Sequence, residues 1–322
     1  MKILSKLNKN QVIFENKSHH KNTHFNISFI KHPSLFGHIL CSIRYRNEYT
    51  NKDVYPRCSN DILMFTIHES EINKMDKNLF LQDNIITINT YEKVNIRCSR
   101  EKFRSYTTGI EDARIWNNHY ISGVCLYTNP NWCPEMVICK YDSNNNTITD
   151  IIPIGDQKEV KKPQKNWLIL KELNERITMI HSYKPFKVVS CNKIDGSAIP
   201  LIIKNYKELN NIKGEIHGGS CLYLFKEDKY LIVVRIIQNH RYCYSLWIVL
   251  DEEYSIIRIS EPFTFMKKDE YKLIDYNKGF WYETCMCLMQ KNDSELYASL
   301  SISDCYNFII TLTLEEIYKC FK

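Results

Sequence analysis

Glycine and proline are both scarce in this sequence of 322 residues, at 9 each, while asparagine, lysine, isoleucine and tyrosine are abundant, a bias that reads as the composition of an AT-rich genome. No glycine-rich loop leads from a strand into a helix, so neither a dinucleotide-binding fold nor a P-loop is supported. No apolar run approaches the roughly 20 residues that a membrane-spanning helix needs. Met1 to Lys9 lack the apolar core of a secretory leader. The 13 cysteines are odd in number, with no pair of Cys-x-x-Cys units and no histidine at zinc-finger spacing. Cys285-Met286-Cys287 is the close pair, and alternate residues on one strand face are poorly placed to bridge each other. Together these absences predict a reducing cytoplasm, thiols without disulfides, and Asn-x-Ser/Thr triplets such as Asn26-Ile27-Ser28 that are chance matches. A basic block is also missing: 43 Lys and Arg are scattered among 37 Asp and Glu, for a net charge of +6. That argues against nucleic acid as a partner, as the missing apolar run argues against a membrane. His19-His20 and His24 have no metal-ligand spacing, and no metal is predicted.

What is present is a folded-protein composition, 44% hydrophobic and 25% charged, written as short β-branched and aromatic runs. Phe25–Ile30, His38–Tyr45 and Asp61–Ile67 open the series. Polar insertions that read as hairpin turns follow at Ser143–Asn146, Leu173–Glu175, Lys226–Lys229, Asp251–Glu253 and Lys291–Ser294. The runs amount to about 18 to 20 strands. The helical pattern that stands out is the last, Thr313 to Phe321. So many short antiparallel strands must close as a barrel, stack as sandwiches or repeat radially. Four strands per blade would give about five blades of roughly 60 residues. Residues 1–18 read as a tail or closing strand and 19–322 as a single domain, with barrel, sandwich and propeller all open to it, since no WD or kelch repeat signature is present.

Within this pattern, Thr107 to Trp116 sets Glu111, Asp112 and Arg114 at the mouth of an apolar strand. Strict alternation would put Asp112 and Arg114 on one face, with Glu111 and Ala113 on the other. The group is either a strand-edge ion pair or a carboxyl whose proton affinity is set for acid or base work. Further polar clusters recur about once per expected blade: Asn26 with Arg44; Gln164-Lys165-Asn166-Trp167 with His181-Ser182-Tyr183; His217-Gly218-Gly219-Ser220; Arg235 with His240-Arg241-Tyr242; and Ser301-Ile302-Ser303-Asp304. A propeller brings its inner strands to one funnel, where ligand-binding groups converge.

In this order the clusters resemble the β-mannoside phosphorylases, glycoside hydrolase family 130, and their glycosyltransferase-like relatives. The resemblance runs from Phe25 to Ile317. Phe25-Asn26 is similar to the family's Phe-Asn-Pro, and Ile43-Arg44 to its arginine-bearing second strand. Gly109 to Arg114 resembles Gly-x-Glu-Asp-Pro-Arg, Gln164 to Trp167 resembles Glu-Lys-Asn-Trp, and His217 to Ser220 resembles Arg-Gly-Gly-Thr. The resemblance implies an all-β, five-bladed propeller with a short C-terminal helix, and an enzyme that transfers glycosyl groups with inversion. Asp112 would be the catalytic carboxylate, with Arg44, Arg114 and Lys165 lining the sugar or phosphate site. Arg235 would hold an anionic group, Tyr183, His217, His240 and Asp304 sugar hydroxyls, and Asn26, Glu111 and Asn166 complete the substrate-binding set. No cofactor is required, and a phosphate or nucleotide diphosphate group of the donor would be bound. The partners expected are a carbohydrate and a sugar phosphate or sugar nucleotide; the oligomeric state is left open. Ala113 for proline, Gln164 for glutamate and Arg235 for the family's histidine favour a transferase using an activated sugar over a phosphorylase. A non-catalytic propeller binding glycans or protein partners through its funnel is the reading of another class.

Overall fold

The computed structural model describes residues 2–3, 12–14, 23–48, 58–73, 92–93, 95–96, 110–117, 119–125, 134–142, 145, 147–155, 165–226, 228–238, 242–265, 283–302 and 306–321. Five sheets of four to seven strands are arranged as the five blades of a β-propeller.

Two short N-terminal strands come first, β1 (Lys2–Ile3) and β2 (Val12–Phe14). Blade one is β3 (Thr23–Lys31), β4 (His38–Glu48), β5 (Cys58–His68) and, after helix α1 (Glu69–Asn73), β6 (Glu92–Lys93). Blade two takes β7 (Asn95–Ile96) as its outer edge, followed by β8 (Ile110–Asn117), β9 (Tyr120–Cys125), β10 (Glu135–Asp142) and β11 (Thr147–Pro153). Blade three is a four-stranded meander: β12 (Leu168–Leu173), β13 (Arg176–Tyr183), β14 (Phe186–Asn192) and β15 (Ala198–Lys204). Helix α2 (Lys207–Asn211) leads to blade four, made of β16 (Glu215–Gly218), β17 (Tyr223–Lys226), β18 (Lys229–Gln238), β19 (Tyr242–Leu250), β20 (Ile256–Ile259) and β21 (Phe263–Thr264). Blade five is β22 (Glu283–Thr284), β23 (Leu288–Asn292), β24 (Glu295–Ile302) and β25 (Tyr306–Thr313), followed by helix α3 (Leu314–Lys319).

The N-terminal strands join the last two blades: β1 pairs in parallel with β21, and β2 pairs antiparallel with β25. A ring of blades closes when strands from one end of the chain complete sheets formed by the other, which removes open edges.

Each expected hairpin forms where the polar insertion stands: the closing pairs are Asp142 with Thr147, Leu173 with Arg176, Lys226 with Lys229, Leu250 with Ile256 and Asn292 with Glu295. Asn174 and Asp228 supply left-handed turn residues, with φ of 51° and 61°. The described strands outnumber the expected ones because three are broken in two, β16/β17 on β18, β22/β23 on β24 and β20/β21 on β19, and because β1 and β2 add to the edges of blades four and five. The last helix starts at Thr313, whose Oγ1 accepts the Glu316 amide at 3.2 Å while the Glu316 carboxylate accepts the Thr313 amide at 2.9 Å. This capping box contributes about 1 kcal/mol, and Ile317 anchors the helix in the core.

Apolar clusters fill the gaps between consecutive blades, as alternation requires of sheets packed face to face. One joins blades one and two, around Leu40, Ile115 and Val137. The next, between blades two and three, contains Met136, Trp167 and Val189, so Trp167 is a core residue. A third links blades three and four through Leu168, Phe186, Ile232 and Leu246. The fourth, between blades four and five, holds Trp247 stacked on Phe263 at 5.2 Å between centroids. Among the described residues no helix is long and apolar enough to cross a membrane.

Candidate active site

The inner strands β3, β8, β12, β16/β17 and β22/β23 run the same way along the central channel, so their starts gather at one mouth together with the ends of the second strands. That mouth holds Asp112 and Arg114 from β8, Lys165 and Asn166 just before β12, His217 from β16 and Thr284 from β22. Tyr183 at the end of β13, and Arg235 on β18 opposite His217, come from the second strands.

The register of β8 is not the simple alternation expected. Glu111 pairs with Val124 but Arg114 pairs with Ser122, so β8 carries one extra residue there. Ala113 therefore joins Ile110 and Ile115 in the blade-one/blade-two core. Asp112 takes a φ of 50°, a left-handed conformation that costs a non-glycine residue roughly 1 kcal/mol. Bulges of this kind re-aim a side chain beside a functional site. Blade one has the same irregularity at the equivalent place, since Phe25 pairs with Arg44 and Ser28 with Ser42, leaving Asn26 in the bulge. In blade three Asn166 precedes the strand at a φ of 61°.

Gly123 is the residue that lets the β8 bulge lie flat. A Cβ there would stand 2.3 Å from Ile110 Cγ2 and 2.9 Å from the Glu111 carbonyl oxygen. A lone glycine in the apolar run of β9 is its sequence signal. Gly123→Ala is expected to lower stability by about 1–3 kcal/mol, as overpacking of a close contact does, and to lower turnover by moving Asp112. Urea unfolding and kinetics on the same sample check this; unchanged values for both would show that the bulge does not depend on the glycine.

Arg114 is 2% exposed. Its Nη2 donates to Met286 Sδ at 3.6 Å, while Nε and Nη1 have no hydrogen-bond partner. Burial lowers its proton affinity, the Asp112 carboxylate raises it, and Arg235 lowers it again. The two guanidinium groups and the carboxylate are thus close enough to feel one another's charge. Arg235 Nη1 donates to the Thr284 hydroxyl. The Tyr183 hydroxyl is buried without a partner, and burial raises its pKa, against the opposing pull of Arg114.

The remaining polar groups form a chain along the rim. Lys165 Nζ lies 3.6 Å from Glu111, which ties the start of blade three to blade two. Asn166 Nδ2 stands 3.1 Å from His217 Nδ1, and His217 Nε2 stands 3.2 Å from the Glu215 carboxylate. Asn166 donating to Nδ1 leaves the proton on Nε2, so His217 is a neutral imidazole held at both nitrogens. Burial and Arg235 lower its pKa, Glu215 opposes them. Gly218 allows this contact, because a Cβ on it would lie 2.1 Å from the Asn166 carbonyl oxygen.

No protein-family model matches the sequence, and no curated protein does. Solved structures do match. A β-1,2-mannobiose phosphorylase from Listeria innocua, solved with β-1,2-mannobiose, superposes with a TM-score of 0.61 at 13% identity, covering 97% of this chain and 99% of that one. The fold is that of the mannoside phosphorylases. A glycosyl hydrolase from Bacteroides ovatus gives a TM-score of 0.59 at 12% identity, over 92% of this chain and 85% of its own. A mannose phosphorylase from Leishmania mexicana in complex with phosphate ion gives 0.51 at 10% identity, over 97% and 90%.

On this mannoside-phosphorylase fold, Glu111, Asp112, Arg114, Lys165, Asn166, Tyr183, His217 and Arg235 lie around one mouth. Asn26 and Arg44 sit on the paired strands β3 and β4, with side chains outside the described residues. His240 and Asp304 lie outside the described residues altogether. The inner strand of blade five is not the Ser301 segment but Glu283–Asn292; Ser301 is on the second strand, bonded to Asn307 Oδ1 at 2.6 Å. Met286 and Thr284 were missed for that reason, because nothing in a Glu-Thr-Cys-Met-Cys run marks it as innermost.

Proposed function

We propose that this chain is a carbohydrate-active enzyme that transfers a glycosyl group of a β-mannoside or similar hexoside, with inversion, to or from a phosphate-bearing partner. The observation that carries this reading is Arg114, a guanidinium buried at the funnel mouth with two nitrogens unpartnered, within electrostatic reach of Arg235 and of the Asp112 carboxylate. A buried cation with open donors costs stability unless an anion completes it, and two forks suit phosphate oxygens.

In the direction of cleavage, a phosphate oxygen held by Arg114 and Arg235 attacks the anomeric carbon from the face opposite the leaving group. The bond to the glycosidic oxygen breaks, and Asp112, entering as the carboxylic acid, gives that oxygen its proton. One displacement inverts the centre without a protein nucleophile. Lys165, paired with Glu111, and His217, a neutral donor and acceptor fixed by Asn166 and Glu215, hold hydroxyls at the rim. Residues 19–322 act as one domain in this reading. A sugar nucleotide would place its diphosphate on the same two guanidiniums.

Thermal shift with inorganic phosphate, mannose 1-phosphate and a sugar nucleotide tests the reading. A ligand at 100 times its Kd stabilises the fold by about 2.7 kcal/mol. The expected result is a shift with phosphate and a larger one with the sugar phosphate, followed by release of sugar 1-phosphate from β-mannobiose and phosphate. A shift confined to the sugar nucleotide would move the reading to the transferase form. No shift with any of them would overturn it in favour of a non-catalytic module.

A further inference from the structure

Behind the mouth, past Arg114 and Met286, the channel opens again toward the far ends of the inner strands. A cavity of about 410 Å³ there takes its lining from all five blades, with Ile30, Trp116, Leu170, Cys221 and Cys287 each from a different one. Two of these five are cysteines, and they are neighbours. The Cys221 amide donates to the Met286 carbonyl at 3.3 Å. That bond sets Cys221 against the Met286–Cys287 peptide unit, so the two cysteine side chains leave from adjacent backbone.

Both thiols are free and point to backbone acceptors: Cys221 Sγ donates to Met286 O at 3.6 Å and Cys287 Sγ to Phe29 O at 2.8 Å. We infer that Cys221 and Cys287 form a redox-active dithiol, reached by hydrogen peroxide through the rear cavity, whose oxidation links the inner strands of blades four and five. The proposal concerns thiol chemistry and does not depend on the glycosyl-transfer reading.

Chemistry and surroundings single out this pair. The neighbouring Cys287 side chain lowers the pKa of Cys221 against the cost of burial, and the Arg114 guanidinium lowers it further. Contact with Cys221 and burial raise Cys287, which makes Cys221 the better nucleophile of the two. Elsewhere burial works alone or nearly so: it raises Cys41, and it pushes Cys191 up to about 12 against Arg176. Cys285 is two residues from Cys287, but it packs into the core between blades four and five, away from the cavity lining.

The step balances as follows. The Cys221 thiolate attacks one peroxide oxygen, the O–O bond breaks, and the leaving hydroxide takes the displaced thiol proton to become water. Cys287 sulfur then attacks the sulfenic sulfur of Cys221, forming the S–S bond as a second water leaves with the Cys287 proton. Two thiols lose two electrons and one peroxide gains them. In a reducing compartment a thiol reductant reverses the reaction.

Peptide mapping by mass spectrometry under non-reducing conditions decides the matter. The full-length protein is treated with hydrogen peroxide, its remaining thiols are alkylated, and the digest is compared with and without dithiothreitol. The expected result is a Cys221–Cys287 peptide as the main cross-link, lost on reduction, still formed in Cys285→Ser and abolished in Cys221→Ser. Recovery of both cysteines as alkylated thiols, a main cross-link to Cys285, or irreversible oxidation of Cys221 without a disulfide would each overturn the proposal.

Discussion

Replacing Asp112 by asparagine is expected to lower kcat for glycosyl transfer by about 10²- to 10⁴-fold, the range over which a positioned acid or base acts. Asparagine is the substitute of choice because it tolerates the left-handed backbone that Asp112 adopts at a φ of 50°. The bulge therefore survives and the loss reports on the carboxyl alone. The change also removes the acid that favours the charged form of Arg114, so urea unfolding is followed alongside turnover. Kinetics with β-mannobiose and phosphate measure the loss. An Asp112→Asn protein that turns over like the parent would remove Asp112 from the chemistry.

Arg114→Met separates stability from function. The guanidinium is 2% exposed with two nitrogens unpartnered, and its Nη2 contacts a methionine sulfur. An apolar side chain of similar length is expected to leave the unfolding free energy unchanged or raise it by about 1 kcal/mol, because a buried charge that is only partly paired is costly to hold. Turnover should fall by about 10³-fold, since a charge acting in a dry site contributes several kcal/mol to the transition state. The thermal shift produced by phosphate should vanish with it. If the variant lost stability while keeping the phosphate shift, Arg114 would be a structural cation and not the anion-holding group.

Such gains in stability on removing a functional charge mark places where the fold carries a group for its chemistry and not for its packing. On the proposed reading Arg114 is such a place, whereas Lys165, 38% exposed and paired with Glu111, stands at the rim, where its removal leaves the core intact.

Much of the architecture was legible in the chain itself. Alternating β-branched runs broken by polar turns determine an all-β meander, because only a pleated strand puts every second side chain in a core. Asn174 and Asp228 mark turns since their side chains tolerate φ above zero, and Thr313 with Glu316 marks the start of the last helix since both satisfy free amides. Of the polar clusters, Asp112, Arg114, Asn166, His217 and Arg235 stand at the starts of inner strands or on the second strands opposite them.

What the sequence could not settle was the direction in which those groups point, or which strand of a blade is innermost. Period-two alternation assigns faces only while the register holds, and one extra residue between Glu111 and Arg114 reverses the assignment for Ala113. That bulge exists because Gly123, on the neighbouring strand, has no side chain to oppose it. Arg114 beside Met286, 172 residues away, and Cys221 beside Cys287, follow from blade closure alone. Local sequence determined the strands and their turns, whereas the tertiary structure decided which side chains meet at the axis, because long-range contacts depend on register and closure summed over the whole ring.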